Sequence, residues 1–531
     1  MRINNLIPEN TEGFGGEKPH QSAIYITKIK MSSRNNTIAK NTIILYIRMF
    51  IVTMITLYTS RLVLQTLGVS DFGIFNLAGS FISFFSVLNT AMSSSVQRFL
   101  NVELGRGDKQ AYSNAFNTGI EIHLLLTILI IILGESIGLY AFVNWLNIPP
   151  NRTMAAMIVY QTALISSATT IFRTPYNAYI IANEKVAFYA YISIFETISK
   201  LVLVVCLVYQ PYDNLIVYAI SILLLNVILL ILYMGYVYKW LKAPKFKYVS
   251  YTTEIFKAMT KFSSWNFIGN VSYVFTWQGI NMLLNVFHGV ALNAAMGISN
   301  QVTNTISSFT SNFQVAYKPA IIQSYVQNKS EFEKLVCRAT KFSFLLLFVI
   351  LYPLFFNIEY VLALWLGQTP DYTPGFLKIL LWSTLISSLS LPLYNALEAH
   401  GGISRYQIVT SIIQPLLIIY SYIVLTNGLS PNYAIMSHVI LTLLLQLVLL
   451  TQLVNKGVVD FKTILKNVYI RLFVILIIGS IIGAIIEQKQ GVGNILIDLI
   501  IALTILFFIG LDKSERIRVI KLASKNKLNG K

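Results

Sequence analysis

Two arginines lie in the first long apolar stretch of the chain, Arg48 and Arg61 in residues 41–67. At about 1.5 Å per residue this stretch is long enough to cross a bilayer as a helix. An arginine at the centre of such a helix costs about 2.5–3.5 kcal/mol on insertion, so it usually faces a polar cavity, a partner or the interface. About 20 Å of helix separates the two arginines, so they cannot form one clamp.

A third arginine, Arg173, is predicted at the depth of Arg48, because its helix runs back toward the side from which Arg48 enters. Two guanidinium groups at one level of a water-filled cavity would suit a doubly charged phosphate group, which they bind through paired hydrogen bonds. The alternative is that Arg48 caps helix carbonyls or pairs with Glu121. For Arg61 the alternative is that its side chain reaches the lipid headgroups.

Further ionisable and amide side chains fall in predicted spans. Glu196 and Lys200 are four residues apart in the order that favours an intrahelical ion pair, unless a coupling ion or the substrate opens that pair. Glu121 and His123 are candidates for carrying protons. The predicted substrate-binding residues are Arg48, Arg61, Arg173, Lys200, Asn270 and Gln278. The predicted ion-coupling residues are Glu121, His123 and Glu196.

The composition predicts an all-α polytopic membrane protein with about fourteen transmembrane helices. Of the 531 residues 55% are hydrophobic, the mean hydropathy is +0.64, and the apolar residues come in long blocks. The two cysteines form no metal-binding or redox pair, and the sequence has no phosphate-binding loop, dinucleotide-binding turn or zinc-protease motif. We therefore expect no cofactor, no metal and no enzymatic activity.

The position of the basic residues predicts the orientation. Most of the 40 lysines and arginines fall in alternate loops, and the intervening loops and helix ends hold only Arg152, Lys378 and Lys489. By the positive-inside rule both termini lie in the cytoplasm. The net charge of +18 thus reports orientation and not nucleic-acid binding. No cleavable signal peptide is expected in the polar N-terminal tail, and Met31 offers an alternative start of translation.

Two sequence matches indicate an internal repeat. Gly68-Val69 corresponds to Gly289-Val290 at an offset of 221 residues, and Tyr176-Asn177-Ala178 corresponds to Tyr394-Asn395-Ala396 at an offset of 218. Two matches at nearly one offset predict two parallel six-helix repeats followed by two extra helices. The predicted segments are a tail (1–41), an N-terminal half (42–238), a linker (239–261), a C-terminal half (262–455), two further helices (456–511) and a basic tail (512–531).

The two halves differ in charge. At the matching offsets Gly269 replaces Arg48, Leu391 replaces Arg173 and Ile418 replaces Lys200. Because the second copy packs without these charges, the first copy's charges are expected to serve another purpose. The C-terminal half instead carries many amide side chains, which act as interhelical hydrogen-bond partners or as a wall that contacts sugar hydroxyls.

The chain resembles Wzx-type polysaccharide flippases of the MATE-like multidrug/oligosaccharidyl-lipid/polysaccharide exporter superfamily across residues 42–512. The residues that carry the resemblance are Arg61, Leu67-Gly68, Asp71-Phe72-Gly73-Ile74-Phe75, Gln97-Arg98-Phe99 and Gly105-Arg106-Gly107-Asp108. It implies two six-helix bundles in a V that move undecaprenyl-diphosphate-linked oligosaccharide to the outer leaflet of a bacterial inner membrane for capsule, O-antigen or exopolysaccharide synthesis. It further implies membrane lipids, glycan polymerases and glycosyltransferases as partners.

Three alternatives remain at this point. A drug/cation antiporter of the same fold would want an acidic lumen, whereas the first spanning helix carries only arginines. A membrane polysaccharide polymerase or acyltransferase would want acidic or histidine groups in sizeable outer loops, and the predicted outer loops are short. A purely structural role would leave the charge difference between the halves unexplained.

Overall fold

The computed structural model describes residues 21–183, 185–248, 254–315, 317–318, 321, 324–325, 329–400, 403–486 and 491–517, and every regular element in them is helical. The N-terminal helices are α1 (Gln21–Arg106), α2 (Lys109–Leu133), α3 (Leu139–Trp145), α4 (Thr153–Ala182), α5 (Val186–Leu207) and α6 (Asn214–Gly235). Next come α7 (Glu254–His288), α8 (Val290–Val315), α9 (Lys329–Phe356), α10 (Ile358–Leu366), α11 (Thr373–Ser387) and α12 (Ser390–His400). The last are α13 (Ile403–Thr426), α14 (Pro431–Ile435), α15 (Ser437–Asn455), α16 (Phe461–Ile464), α17 (Ile470–Ile486) and α18 (Val492–Ile505).

Eleven helical segments in these residues are long and apolar enough to cross a membrane, which confirms a helical, multi-pass membrane protein. They are Arg48–Ser83, Lys109–Trp145, Pro150–Ala182, Ala187–Leu207, Asn214–Trp240, Lys329–Phe356, Thr373–His400, Ile403–Thr426, Pro431–Asn455, Phe461–Ile485 and Val492–Gly510. Fourteen were predicted. The helix α1 contains two predicted spans but is one of the eleven segments. The helices α7 and α8 were predicted as two further spans, but they are rich in polar residues and are not among the eleven. Fourteen spans therefore stay a prediction.

The helix α1 is broken at Gly68, where φ is 75° and ψ is 170°. A positive φ is strained for residues with a side chain, so glycine allows the chain to reverse between the two predicted spans. Gly289, its partner in the predicted repeat, has a φ of 77° and separates α7 from α8. The two glycines therefore share a backbone conformation at matched positions, in agreement with the repeat, which stays a prediction.

Each half has its own packing. In the N-terminal half α2 and α4 run antiparallel: Phe116 packs edge-on against Tyr176, and the Tyr160 hydroxyl donates to the Gly134 carbonyl at 2.7 Å. In the C-terminal part α9 packs on α17 and α18, and the Tyr352 hydroxyl donates to the Gly479 carbonyl at 3.0 Å. Large apolar side chains remain exposed along many helices, as expected for a surface that contacts lipid.

The two halves meet where α1 crosses α7 and α8. At Gly73 of α1 a Cβ atom would lie 2.1 Å from the carbonyl oxygen of Val290, the first residue of α8. Only glycine permits this backbone approach. The contact lies at the end of the bundle that the sequence predicts to face outward, below called the predicted outer side.

Candidate functional site

A polar cavity lies between α1 and α8, that is, between the two halves. It holds about 540 Å³ and is open to its surroundings. One face of α8, made of positions three or four residues apart, lines the cavity. On α1 the lining residues come from both sides of the break at Gly68. The lining residues are Arg48, Met49, Val52, Thr53, Thr56, Asn76, Ser80, Gly297, Asn300, Gln301, Asn304, Thr305 and Ser308.

The two walls of this cavity differ chemically. Among the described lining residues Arg48 of α1 is the one that is charged, and it comes early in the first predicted span, toward the predicted cytoplasmic side. The described residues of the α8 wall are neutral and include the amides Asn300, Gln301 and Asn304. The cavity therefore offers a cation on one wall and hydrogen-bonding amides and hydroxyls on the other.

Arg48 is positioned by α5. Its Nε donates to the Ser193 hydroxyl, its Nη2 lies 3.4 Å from the Tyr189 hydroxyl, and its guanidinium lies 4.5 Å from the centre of the Tyr189 ring. These neutral partners hold the side chain without neutralising its charge. The expected alternative partner, Glu121, is buried on α2.

Arg173 also reaches α5, close to the point where Arg48 does. Its Nη2 lies 4.0 Å from the Glu196 carboxylate, and its guanidinium lies 5.2 Å from the centre of the Tyr233 ring on α6. Glu196 in turn accepts from Lys200 at 2.6 Å, as the spacing of the two residues predicted. Tyr233 interacts electrostatically with both arginines and with Glu196, so these groups form one cluster.

This N-terminal charge cluster comprises Arg48, Arg173, Glu196 and Lys200. Three positive charges and one negative charge give it a net charge of +2. Lys200 lines a smaller pocket of about 170 Å³ that shares Thr56, Asn76 and Gln301 with the main cavity. The excess positive charge is thus connected to the cavity through the Lys200 pocket as well as through Arg48.

On the predicted outer side the two halves are joined by hydrogen bonds. The Trp365 indole donates to the Leu57 carbonyl at 2.8 Å, the Gln65 amide donates to the Leu366 carbonyl at 3.2 Å, and Ser60 donates to Gln301 at 2.5 Å. Each bond ties α1 to a helix of the C-terminal half. The Ser60–Gln301 bond lies at the edge of the cavity, and the Trp365 and Gln65 bonds lie farther toward the predicted outer side.

Three buried asparagines, Asn281, Asn285 and Asn293, further join the two halves on this side. The backbone N–H of Asn147 donates to the Asn285 side chain at 2.8 Å, and Asn285 donates to Asn293 at 3.0 Å. Asn293 donates to both the carbonyl and the side-chain oxygen of Asn281 at 2.9 Å, and Asn281 donates to Ser80 at 2.8 Å. This asparagine ladder starts and ends in the N-terminal half and runs through α7 and α8, so opening the outer side would break it.

The same side of the N-terminal half carries a second arginine cluster, which we call the Arg152 clasp. Arg152 donates to Asp71 through Nε at 2.8 Å and through Nη2, and to Asp213 through Nη1 and Nη2. Asp213 also caps α6 by accepting from the backbone N–H groups of Leu215 and Ile216. The hydrogen bond from Arg152 lowers the pKa of Asp213, burial opposes this shift, and the cap adds to it.

Solved structures of membrane transporters resemble this arrangement. An inward-facing multidrug resistance MATE family transporter of the MOP superfamily matches with a TM-score of 0.64 and 15% identity, over 77% of this chain and 97% of its own. The lipid II flippase MurJ in an inward closed conformation matches with a TM-score of 0.63 and 14% identity, over 87% and 97%. The chain has the fold of these transporters.

A MOP superfamily transporter from Pyrococcus furiosus, described as having a binding pocket of reversed polarity, shares this transporter fold with a TM-score of 0.56 and 15% identity, over 78% of this chain and 95% of its own. No protein-family model and no curated protein sequence gives a significant match. The likeness therefore concerns the fold, and the chemistry of the site must be argued from this chain's own residues.

The transporter fold does not bring all the predicted site residues together. Arg61 donates to the Leu364 carbonyl at 3.3 Å, near the carboxyl end of α10 and away from the lining of the cavity. His123 is buried on α2, where Nδ1 meets the Gly119 carbonyl at 2.8 Å, and Glu121 is buried on the same helix. Gln278 is partly buried on α7, outside the cavity lining. Asn270 lies on α7, where its side chain falls outside the described part.

Two ionisable residues were not singled out as site candidates from the sequence. His438 of α15 is fully buried and stacks on Trp277 at 3.9 Å, and neither ring nitrogen has a hydrogen-bond partner among the described residues. Lys341 is buried in α9 and donates to Asp512 at 3.1 Å and Glu515 at 2.7 Å. Its partners are far along the sequence, so no local signal revealed its burial.

Proposed function

We propose that the chain is a flippase for polyprenyl-diphosphate-linked oligosaccharides, moving the sugar repeat unit from the cytoplasmic to the outer leaflet of a bacterial inner membrane. The observation that carries this proposal is the lining of the cavity between the halves. Arg48 would bind the diphosphate through paired hydrogen bonds. Asn300, Gln301 and Asn304 on the opposite wall would bind sugar hydroxyls.

The charge of the site favours this substrate over a cationic drug. None of the lining residues that the structure describes is acidic, and the adjoining charge cluster has a net positive charge. A cationic drug would have to lose its hydration in this cavity without a counter-charge, which is costly. A diphosphate would gain charge-assisted hydrogen bonds there.

Transport would proceed by alternating access. The structure has the cavity open and the outer side joined by the asparagine ladder and the bonds of Trp365 and Gln65. Substrate would enter from the cytoplasmic side, after which the halves would rock, breaking the outer bonds and closing the entry. The glycosyltransferases that build the repeat unit would precede this step, and the glycan polymerase would follow it.

The test is a leaflet assay in liposomes that contain the purified protein. A fluorescent undecaprenyl-diphosphate-linked oligosaccharide is incorporated, and its exposure to a membrane-impermeant quencher is followed over time. We expect the wild type to move the lipid, Arg48→Ala to slow it at least about tenfold, and Arg48→Lys to restore it only in part because lysine lacks the planar fork. Lys257→Ala is the control, since Lys257 is 61% exposed and lies outside the cavity lining.

A second cargo in the same liposomes separates the two transporter classes. If the wild type transports a cationic dye against a proton or sodium gradient and leaves the lipid-linked sugar in place, the flippase proposal is wrong. Equal rates for wild type and Arg48→Ala on the lipid-linked sugar would contradict the role of the cavity.

A further inference from the structure

Glu196 is a carboxylate placed inside a cationic site. Its two oxygens face different cations: Oε1 accepts from Lys200 at 2.6 Å, and Oε2 lies 4.0 Å from Nη2 of Arg173. All three side chains are partly or largely buried, with Arg173 the least exposed at 15%. In a site argued to bind an anion, an anion of the protein itself lies between two of the cations.

The guanidinium of Arg173 is incompletely satisfied by this arrangement. A distance of 4.0 Å is an ion pair and too long for a hydrogen bond, and Nη1 of Arg173 is buried with no hydrogen-bond partner among the described residues. The Tyr233 ring attracts the positive charge but accepts no conventional hydrogen bond at 5.2 Å. Because unsatisfied buried donors are costly, Arg173 is ready to bind a better acceptor than Glu196.

Lys200 provides the connection to the cavity. It lines the small pocket with Thr197 and Thr59, and that pocket adjoins the main cavity at the shared side chains of Asn76 and Gln301. A phosphate group that moved from Arg48 into the small pocket would contact the Lys200 ammonium, which donates to Glu196 in this structure. The carboxylate and such a phosphate would therefore contend for the same cation.

We propose that Glu196 is an internal competitor for the substrate anion, holding Lys200 and Arg173 in the empty transporter and giving way when the diphosphate arrives. This inference rests on the proposed function, because it takes the cavity to be an anion site. A diphosphate carries more charge and more acceptor oxygens than one carboxylate, so it wins the exchange. The return of Glu196 to the cations then favours release, since a carrier must bind strongly enough to load and weakly enough to unload.

The test measures the binding of inorganic pyrophosphate to the purified full-length protein by isothermal titration calorimetry. With the competitor removed, Glu196→Gln is expected to bind pyrophosphate about tenfold more tightly than the wild type. The matched control is Glu135→Gln: Glu135 lies in the same half and accepts a hydrogen bond from neutral Gln161 at 3.1 Å, so its neutralisation should leave the affinity unchanged. Glu196→Ala provides a second variant if the glutamine side chain forms new hydrogen bonds.

The arginine dependence of the gain makes the test specific. When Arg173 is replaced by Gln, the further change Glu196→Gln should raise the affinity much less than it does in the presence of Arg173, because one of the two released cations is missing.

The outcomes distinguish this inference from the proposed function. If pyrophosphate binds the wild type, Arg48→Ala weakens binding, and both Glu196 variants bind equally or less tightly than the wild type, then the competitor role is wrong and the anion site stands. If pyrophosphate binds neither the wild type nor the Glu196 variants, the anion site itself is wrong and the inference fails with it.

Discussion

The N-terminal half contains two arginine clusters that differ in how fully the guanidinium groups are engaged. In the Arg152 clasp one guanidinium donates to both Asp71 and Asp213, so a single cation faces two carboxylates. In the charge cluster, Arg48 has a hydroxyl partner and an aromatic ring, and Arg173 has one carboxylate at 4.0 Å. The clasp is fully paired, whereas the cluster keeps unused donors and a net positive charge.

This is the difference that we expect between an arginine that stabilises the fold and one that binds a ligand. A guanidinium surrounded by acceptors stabilises the fold and has little left for a ligand. A guanidinium that has unused N–H donors beside a cavity can form new hydrogen bonds when an anion binds there. The depth of an arginine in the membrane does not indicate whether it stabilises the fold or binds a ligand. The number of hydrogen-bond acceptors around its guanidinium is the better indicator.

Removal of the clasp arginine should have the largest effect on stability. Arg152→Ala leaves Asp71 and Asp213 facing each other without a counter-charge, and we expect the free energy of unfolding to fall by about 2–3 kcal/mol. The matched control is Lys257→Ala, expected to change it by less than about 0.5 kcal/mol, because Lys257 and its partner Glu254 are 61% and 97% exposed. Unfolding followed by tryptophan fluorescence in detergent measures both. Equal stability of the two variants would remove the structural side of the comparison.

The asparagine ladder extends the comparison to uncharged groups that join the two halves. Asn293→Ala leaves the side chains of Asn285 and Asn281 partly unpaired, at a cost of about 1–2 kcal/mol, which falls mainly on the state with a closed outer side. The equilibrium should therefore shift toward outward opening, measured by distances between spin labels on the outer ends of α2 and α11. Asn226→Ala, which removes only a hydrogen bond within α6, should leave the distances unchanged.

Replacement of the cluster arginine sharpens the contrast with the clasp. Arg173→Gln should lower the free energy of unfolding by less than about 1 kcal/mol, because among the described residues Arg173 has one ion pair at 4.0 Å and Glu196 keeps its partner Lys200. In the same preparation its affinity for pyrophosphate should fall clearly below that of the wild type. A loss of stability as large as that of Arg152→Ala would erase the distinction between the clusters.

The pH dependence of the clasp should give the smallest effect. Because the folded protein holds the pKa of Asp213 below its ordinary value of 3.8, the ionised carboxylate stabilises the fold above that pH, and this contribution is lost as the pH falls through the folded value. The difference in melting temperature between wild type and Asp213→Asn should therefore be constant near neutral pH and shrink below about pH 4. A difference that grows on acidification would contradict the assignment.

The sequence predicted what local patterns encode. Apolar blocks predicted a helical, multi-pass protein, and the spacing of Glu196 and Lys200 predicted their ion pair. Arg48 could be predicted as a site residue because the free-energy cost of placing an arginine in lipid depends on the residue itself. The polar helices α7 and α8 were two of the fourteen predicted spans and are not among the eleven apolar ones.

Long-range pairing was beyond the sequence. The partners of Arg48 on α5 are 141 and 145 residues away, and those of Lys341 are 171 and 174 residues away. Nothing in one sequence selects such partners among many hydroxyls and carboxylates. For the same reason the sequence placed Arg152 in a loop or at a helix end and did not predict its pairing with Asp71 and Asp213.

The backbone contact between Gly73 and Val290 acts as a fulcrum. No side chain lies between the two backbones there, so a change of rotamer cannot accommodate a tilt of α8. A tilting α8 would therefore rotate about this point. Val290 is the first of the 26 residues of α8, so the far end of the lever is about 39 Å away. A tilt of about 10° would swing that end by about 7 Å, so a small rotation on one side of the membrane becomes a wide displacement on the other.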